Sequence, residues 1–213
     1  MNYIGMDIHK QFTVAVAKDK DGNKLAEEKF DNSKDNFKIF LKDFVPQETE
    51  IVMESTSIWE YIFEILDEMK YKVKLANPTK TRAIAEARIK TDSIDANTLC
   101  DLLRANLVAE SYIPPKEIRN LRNIMRQRKS IVKGRTQMKN KIHGILLMNG
   151  IKLPWAGLGK KSIEWIIEEI KVTTIKSVLV SYINIVEQFN FELKKLGDKI
   201  NEIAMQNKEA KLF

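Results

Sequence analysis

Asn2-Tyr3-Ile4-Gly5-Met6-Asp7-Ile8-His9-Lys10 is an apolar run that carries one carboxylate, Asp7, near its end. A buried carboxylate is costly without a charged partner. Gly5 has no side chain, so another group can approach the backbone closely there. A strand ending in an acid beside such a glycine reads as half of a metal or phosphate site. The other half has to come from elsewhere in the chain.

Working outward, Phe12-Thr13-Val14-Ala15-Val16-Ala17 reads as a second strand, and Lys24 to Phe30 as a third. Short turns join them, Asp19-Lys20-Asp21-Gly22-Asn23 being one, which suggests an antiparallel meander. Asn32-Ser33 can cap a helix from about Lys34 to Phe44, which Pro46 ends. Glu50 to Glu54 is a short apolar strand that again finishes in a carboxylate. Ser55-Thr56-Ser57 is then expected to cap a helix through about Met69, followed by a fifth strand from Tyr71 to Ala76. Strand, helix, strand at this spacing is a βαβ unit, so the last two strands should be parallel. After Asn77-Pro78 come helical residues, then a helix that Thr91 or Asp92 starts and that runs to about Asn106.

Pro114-Pro115 is the best boundary in the chain, giving expected domains of 1–114 and 115–213. Lys116 to about Met148 reads as one long helix. Between Glu117 and Glu164 there is no acid, while twelve Lys and Arg occur. The whole chain carries a net charge of +7, so the excess is confined to this segment. That points to a polyanionic partner, against the plainer reading of a solvated basic face. The phosphate-contact candidates are Arg119, Arg122, Arg126, Arg128, Lys129, Lys133, Arg135 and Lys139, with Lys10 near Asp7. A further helix is expected from about Ser162 to Ile170. Farther on, Tyr182, Val186, Phe189, Leu193, Leu196, Ile200 and Ile203 form an a/d seam. This coiled-coil helix either folds back on the basic helix or pairs with a second chain, which makes a homo-oligomer an expectation.

Four acids stand in suggestive places. Asp7 and Glu54 end strands, and Asp92 and Asp95 share one helical face. Clustered carboxylates repel and raise one another's pKa values unless cations neutralise them. Hard oxygen ligands select Mg²⁺ or Mn²⁺, and two such ions can serve phosphodiester transfer. Taken singly, each acid is more simply a cap or a turn residue. The joint placement in a β-β-β-α-β-α-β-α order is what favours a site.

The blocks Gly5-Met6-Asp7-Ile8-His9-Lys10, Glu54-Ser55-Thr56, Asn77-Pro78 and Lys90-Thr91-Asp92-Ser93-Ile94-Asp95-Ala96 resemble one transposase family. These are the insertion-sequence transposases with a DEDD-type RuvC-like domain, related to the Piv DNA invertases and known as bridge-RNA-guided recombinases. The resemblance covers about residues 2–150. It implies an α/β fold: an RNase H-like (RuvC-like) mixed sheet, five-stranded by the count above, with flanking helices and a long-helix coiled-coil extension. It implies that Asp7, Glu54, Asp92 and Asp95 form a catalytic tetrad binding Mg²⁺ or Mn²⁺, with DNA and a structured guide RNA as partners. Ser57 stands where the family often has glycine, which touches no proposed ligand. The family also carries a carboxy-terminal domain with a nucleophilic serine. No such sequence is read before Phe213, so the chain is expected to be a shortened form with incomplete chemistry.

Other signals are weaker. His9 lies two residues after Asp7 and on its strand face, though a turn or core histidine is the commoner case. Gly159-Lys160-Lys161-Ser162 lacks the leading glycine and strand of a phosphate loop. Trp155 reads equally as a base-stacking or a loop-packing residue. Cys100, the single cysteine, excludes a disulfide framework and reads as a small core residue. No run approaches the roughly 20 apolar residues of a membrane span. The expected location is cytoplasmic and nucleoid-associated, with no membrane partner. Two other readings stay open. Ile4-Gly5-Met6-Asp7 before a hairpin also opens an actin-like or sugar-kinase-like ATPase fold, although no second glycine-rich phosphate segment is present. The chain also reads as a nucleic-acid-binding, oligomerising fragment whose tetrad is idle.

Overall fold

The computed structural model describes residues 1–84 and 91–206, and Lys90 of the fourth motif block lies outside them. The chain divides into two units, Met1–Ile113 and Pro114–Phe213.

In the first unit, β1 (Asn2–Ile8), β2 (Phe12–Lys18) and β3 (Lys24–Asp31) form an antiparallel meander. β3 is an edge strand whose outer residues are charged and exposed, which discourages pairing with a foreign strand. β4 (Thr49–Glu54) and β5 (Lys72–Ala76) run parallel to β1, as a βαβ crossover demands. A sixth strand, β6 (Glu110–Ser111), pairs antiparallel with β5, giving the order β3-β2-β1-β4-β5-β6. The sheet thus has one strand more than the five expected. Two residues are too few to show a period of two. The architecture is otherwise the expected mixed α/β, RNase H-like one.

Alternation along β1 divides its side chains between two layers. Ile4, Met6 and Ile8 face a core built with Phe37, Phe40 and Leu41 of α1 (Lys34–Leu41) and Ile62, Ile65 and Leu66 of α2 (Trp59–Glu68). Full burial of each such side chain contributes about 1.5–3 kcal/mol. The Tyr71 hydroxyl ties this layer down by donating to the carbonyls of Leu41 and Phe44 at 3.1 and 2.6 Å. Ser33 caps α1 as expected, accepting from the Asn36 amide. The expected Ser55–Ser57 cap of α2 does not form. The chain turns after Glu54, with the Thr56 amide on the Glu54 carbonyl at 2.9 Å, and Ile58 starts the helix without a side-chain cap.

The opposite layer is α4 (Asp92–Arg104), preceded in the chain by α3 (Pro78–Ile84). Leu99 and Leu103 pack with Val52 and Ala76, and Ala96 packs with Val14 and Val16. What approaches Gly5 is the backbone of this helix. A Cβ on Gly5 would lie 2.2 Å from the Ala96 carbonyl oxygen and 2.4 Å from the Cys100 nitrogen. The Cys100 thiol donates to the Tyr3 carbonyl at 3.1 Å, and burial pushes its pKa up to about 11. It is the small core residue expected. Lys18, 8% exposed, reaches both oxygens of Asp101 at 2.7 Å and fastens the helix to β2.

The second unit is helical: α5 (Lys116–Met148), α6 (Lys160–Glu169) and α7 (Thr173–Gln206). α7 runs antiparallel along α5. Phe189 meets Gly134, Asn190 accepts from Arg135 at 2.9 Å, and Lys141 lies 5.9 Å from the Tyr182 ring. Of the a/d residues, Val186 and Leu193 are buried and the others half-buried. At Tyr182, Val186 and Phe189 the seam therefore packs within the chain. Ile142, Leu146, Ile166, Leu179 and Ile183 join Val186 or its neighbours in one core.

Gly5→Ala should be poorly tolerated, because backbone atoms on α4 cannot rotate away. A loss of about 1–3 kcal/mol or more is expected, the range for overpacking a core. Chemical denaturation against wild type measures it, and a loss below about 0.5 kcal/mol would show that α4 moves aside freely.

Candidate metal centre and nucleic-acid interface

Asp7 stands on the β1 face that carries Gly5, near the strand's carboxyl end. Its side chain is 13% exposed. The parallel register pairs Met6 with Met53, so Asp7 and Glu54 are the next residues on neighbouring strands. They lie at one level of the sheet, and Glu54 is half-buried. Asp92 and Asp95 come from the first turn of α4. Thr91 caps that turn, accepting from the Ile94 amide at 3.2 Å, while its carbonyl accepts from the Asp95 amide at 2.9 Å. The cap satisfies a free donor and fixes where the two acids project. Because α4 is clamped at Gly5, this turn is held over the end of β1.

Asp7, His9 and Asp92 can each offer a ligand atom such that all three lie within 4.8 Å of one another. His9 Nε2 is 2.9 Å from Asp7 Oδ2 and 3.3 Å from Asp92 Oδ1. Burial pushes the Asp7 carboxyl above its ordinary pKa. The His9 ring pulls it back down by charge and hydrogen bonding, and Asp95 and Asp92 raise it further by repulsion. An oxygen-rich, crowded and partly buried donor set of this kind fits a hard divalent cation. Asp92 and His9 have side chains 45% and 38% exposed, so the cluster opens to solvent on one side.

Of the four acids expected to act together, two, Asp7 and Asp92, therefore lie at ligand spacing. Asp92 joins Asp7 within ligand spacing, and Asp95 lies near enough to repel it. Glu54 is placed beside them by strand register. His9, expected more simply as a turn or core residue, does follow β1 in the turn, and it also brings its ring to Asp7; its i,i+2 spacing was the available signal. Lys10 is exposed in the turn after β1.

On α5, Arg122, Arg126, Lys129 and Lys133 are exposed. They step by four, three and four residues, which aligns them on one helical face over about 16 Å. Arg128 is exposed on another face, close in angle to the half-buried Arg135 and Lys139. Arg119 is not on this surface. It is 6% exposed and its Nη1 donates to the Pro114 carbonyl at 2.9 Å, which serves the start of the helix. Spacing alone could not separate it from its neighbours. Lys139 also lines an open cleft with Trp155, Lys160 and Lys161, above a buried Ser162 that donates to the Gly157 carbonyl at 2.6 Å. The Ser162 hydroxyl thus closes a loop and does not form a phosphate cradle. No described helix is long and apolar enough to cross a membrane.

Thr91→Ala should cost about 0.5–2 kcal/mol in denaturant unfolding, and Thr91→Ser should restore most of it. Equal stability of the two variants would mean that the cap does not hold the acid-bearing turn.

A search of curated proteins finds no match to this chain. A family model described as transposase, of the IS110 DEDD type, matches residues 4–149, a span that includes Asp7, Glu54, Asp92, Asp95 and all of α5. With the acid cluster on its sheet and the family match across most of its length, the chain belongs to the IS110-type DEDD transposases, enzymes that act on DNA.

Proposed function

We propose that the first unit is the metal-dependent catalytic domain of a DNA transposase or recombinase, acting by phosphodiester strand transfer. Asp7, Glu54, Asp92 and Asp95 hold Mg²⁺ or Mn²⁺. The observation that carries this reading is the crowding at Asp7, a buried carboxylate with His9 and Asp92 at ligand spacing and Asp95 near enough to repel it. A bound divalent ion supplies Lewis acidity and charge neutralisation for attack on a phosphodiester. The chain's own contributions are distinct. Sheet register fixes Asp7 and Glu54, the capped turn of α4 fixes Asp92 and Asp95, and burial on one side limits water at Asp7. The open side admits a nucleic-acid backbone.

The second unit supplies electrostatic binding. Arg122, Arg126, Lys129 and Lys133 form the leading phosphate-contact face, with Arg128, Arg135 and Lys139 on the neighbouring one. DNA is the partner the family implies; a structured guide RNA is the second polyanion that this surface suits. Trp155 beside Lys139, Lys160 and Lys161 offers a ring for an unpaired base. The start of the a/d seam packs within the unit, and the half-buried Leu196, Ile200 and Ile203 beyond it are the part that a homo-oligomer would use.

The anionic form of Asp7 is harder to sustain in the fold than in the unfolded chain, so its charge costs stability above its pKa. Asp7→Asn should therefore leave the metal-free protein at least as heat-stable as wild type. It should also abolish the stabilisation that Mn²⁺ or Mg²⁺ gives wild type, read as a shift in Tm with ion concentration. Equal shifts in both proteins would remove the tetrad.

Binding to DNA or RNA should weaken steeply with salt, by a slope near −0.9 per duplex phosphate contact. Replacing Arg122, Arg126 and Lys129 together by Gln should reduce that slope by about three. An unchanged slope would place the interface off this face of α5.

A further inference from the structure

We infer that His9 is itself a ligand in the cation site, giving it a nitrogen donor beside the carboxylates of Asp7 and Asp92. The inference rests on the metal-dependent reading above and deepens it. Three observations carry it.

The first is spacing. Neighbouring donors around an octahedral ion with bonds of about 2.1 Å are about 3 Å apart. The separations of 2.9 and 3.3 Å from His9 Nε2 to Asp7 Oδ2 and Asp92 Oδ1 match that edge. The second is direction. One nitrogen, Nε2, faces both carboxylates, so an ion that took the place of the proton shared there would meet its lone pair.

The third is how firmly the ring is held. The His9 amide donates to the Phe12 carbonyl at 2.9 Å, and the His9 carbonyl accepts from Asn32 Nδ2 at 2.7 Å. Asn32 is held in turn by the Thr13 hydroxyl, which donates to Oδ1 at 2.6 Å. The imidazole stacks on Phe12 at 4.5 Å, and Lys29 covers the Phe12 ring at 3.7 Å. The backbone bonds belong to the turn between β1 and β2, and the stacking on Phe12 is what orients the ring itself. Contacts that fix a ring before the ion arrives are what an imidazole ligand requires.

The chemical consequence is selectivity. Carboxylate and water suit Mg²⁺, whereas imidazole favours transition-metal ions. A site with one imidazole should hold Mn²⁺ more tightly than Mg²⁺, and that preference should depend on His9.

The test is pulsed electron paramagnetic resonance of the Mn²⁺-loaded chain, with Mn²⁺ and Mg²⁺ titrations alongside. Histidine occurs twice, as His9 and the exposed His143. Wild type should show coupling to one imidazole ¹⁴N, converted to the ¹⁵N pattern when histidine is isotopically labelled. The labelling needs no substitution, so it stands even if a variant misfolds. The coupling should survive His143→Gln and vanish in His9→Asn. His9→Asn should also lose about 10–100-fold in Mn²⁺ affinity and much less for Mg²⁺. If Mn²⁺ binds in an Asp7-dependent way without nitrogen coupling, His9 is only an ion-pair partner of Asp7. The inference then fails while the metal site stands. If wild type binds no Mn²⁺, both readings fall together.

Discussion

The contact between Gly5 and the backbone of α4 is the constraint on which the acid cluster depends. A helix normally packs on a sheet through side chains, at a distance they set. At Gly5 the helix comes nearer, with the Ala96 carbonyl and the Cys100 amide occupying the space of the missing Cβ. Cys100 is small and bonded to the Tyr3 carbonyl, and Lys18 joins Asp101 on the adjoining strand. Together these fix the axis of α4 across β1 and β2. Asp92 lies eight residues before Cys100, about 12 Å along a stiff rod. The placement of the two helical acids is therefore decided two turns away, where packing and not charge does the positioning.

Charge alone would not assemble this cluster. Asp7 is desolvated and lies near Asp92 and Asp95, each of which disfavours its ionised form. The His9 ring is the one described neighbour that offsets this. Hydrophobic burial on the opposite face of the sheet, around Met6, Phe37, Ile62 and Met53, holds the strands in place against the repulsion. Such a local conflict between electrostatics and packing is what marks a functional site.

Most of this arrangement could be read from residue patterns because each element carried its own signal. The β1–β3 meander followed from alternation and short turns, and the parallel pairing of β1, β4 and β5 from the βαβ spacing. Thr91 announced its cap, and the proline pair before Lys116 marked where the long helix starts. Signals failed where the decisive contact was distant or the element short. β6 is two residues whose pairing with β5 no local pattern encodes. Ser55–Ser57 offered cap chemistry, but the chain spends those residues turning after Glu54. Arg119 shares its spacing with exposed neighbours and differs only in burial. The approach of His9 to Asp92, more than eighty residues away, is likewise carried by no local pattern.

The heptad seam and the basic segment look like separate features in the sequence but are two faces of one problem. α5 must bury a stripe against α7 and still present cations. Its apolar stripe, Met138, Ile142, Ile145 and Leu146, is used inside the unit with Leu179, Ile183 and Val186. Along a surface helix the usual way to quiet cations is a carboxylate four residues away. Between Glu117 and Glu164 the sequence supplies none. The stretch of α5 that carries Arg122, Arg126, Lys129 and Lys133 therefore holds no carboxylate after Glu117. A helix that repels itself in this way gains stability when a polyanion lies along it, since counterions are released as phosphates are met. Leaving acids out of α5 after Glu117 costs the free unit some stability.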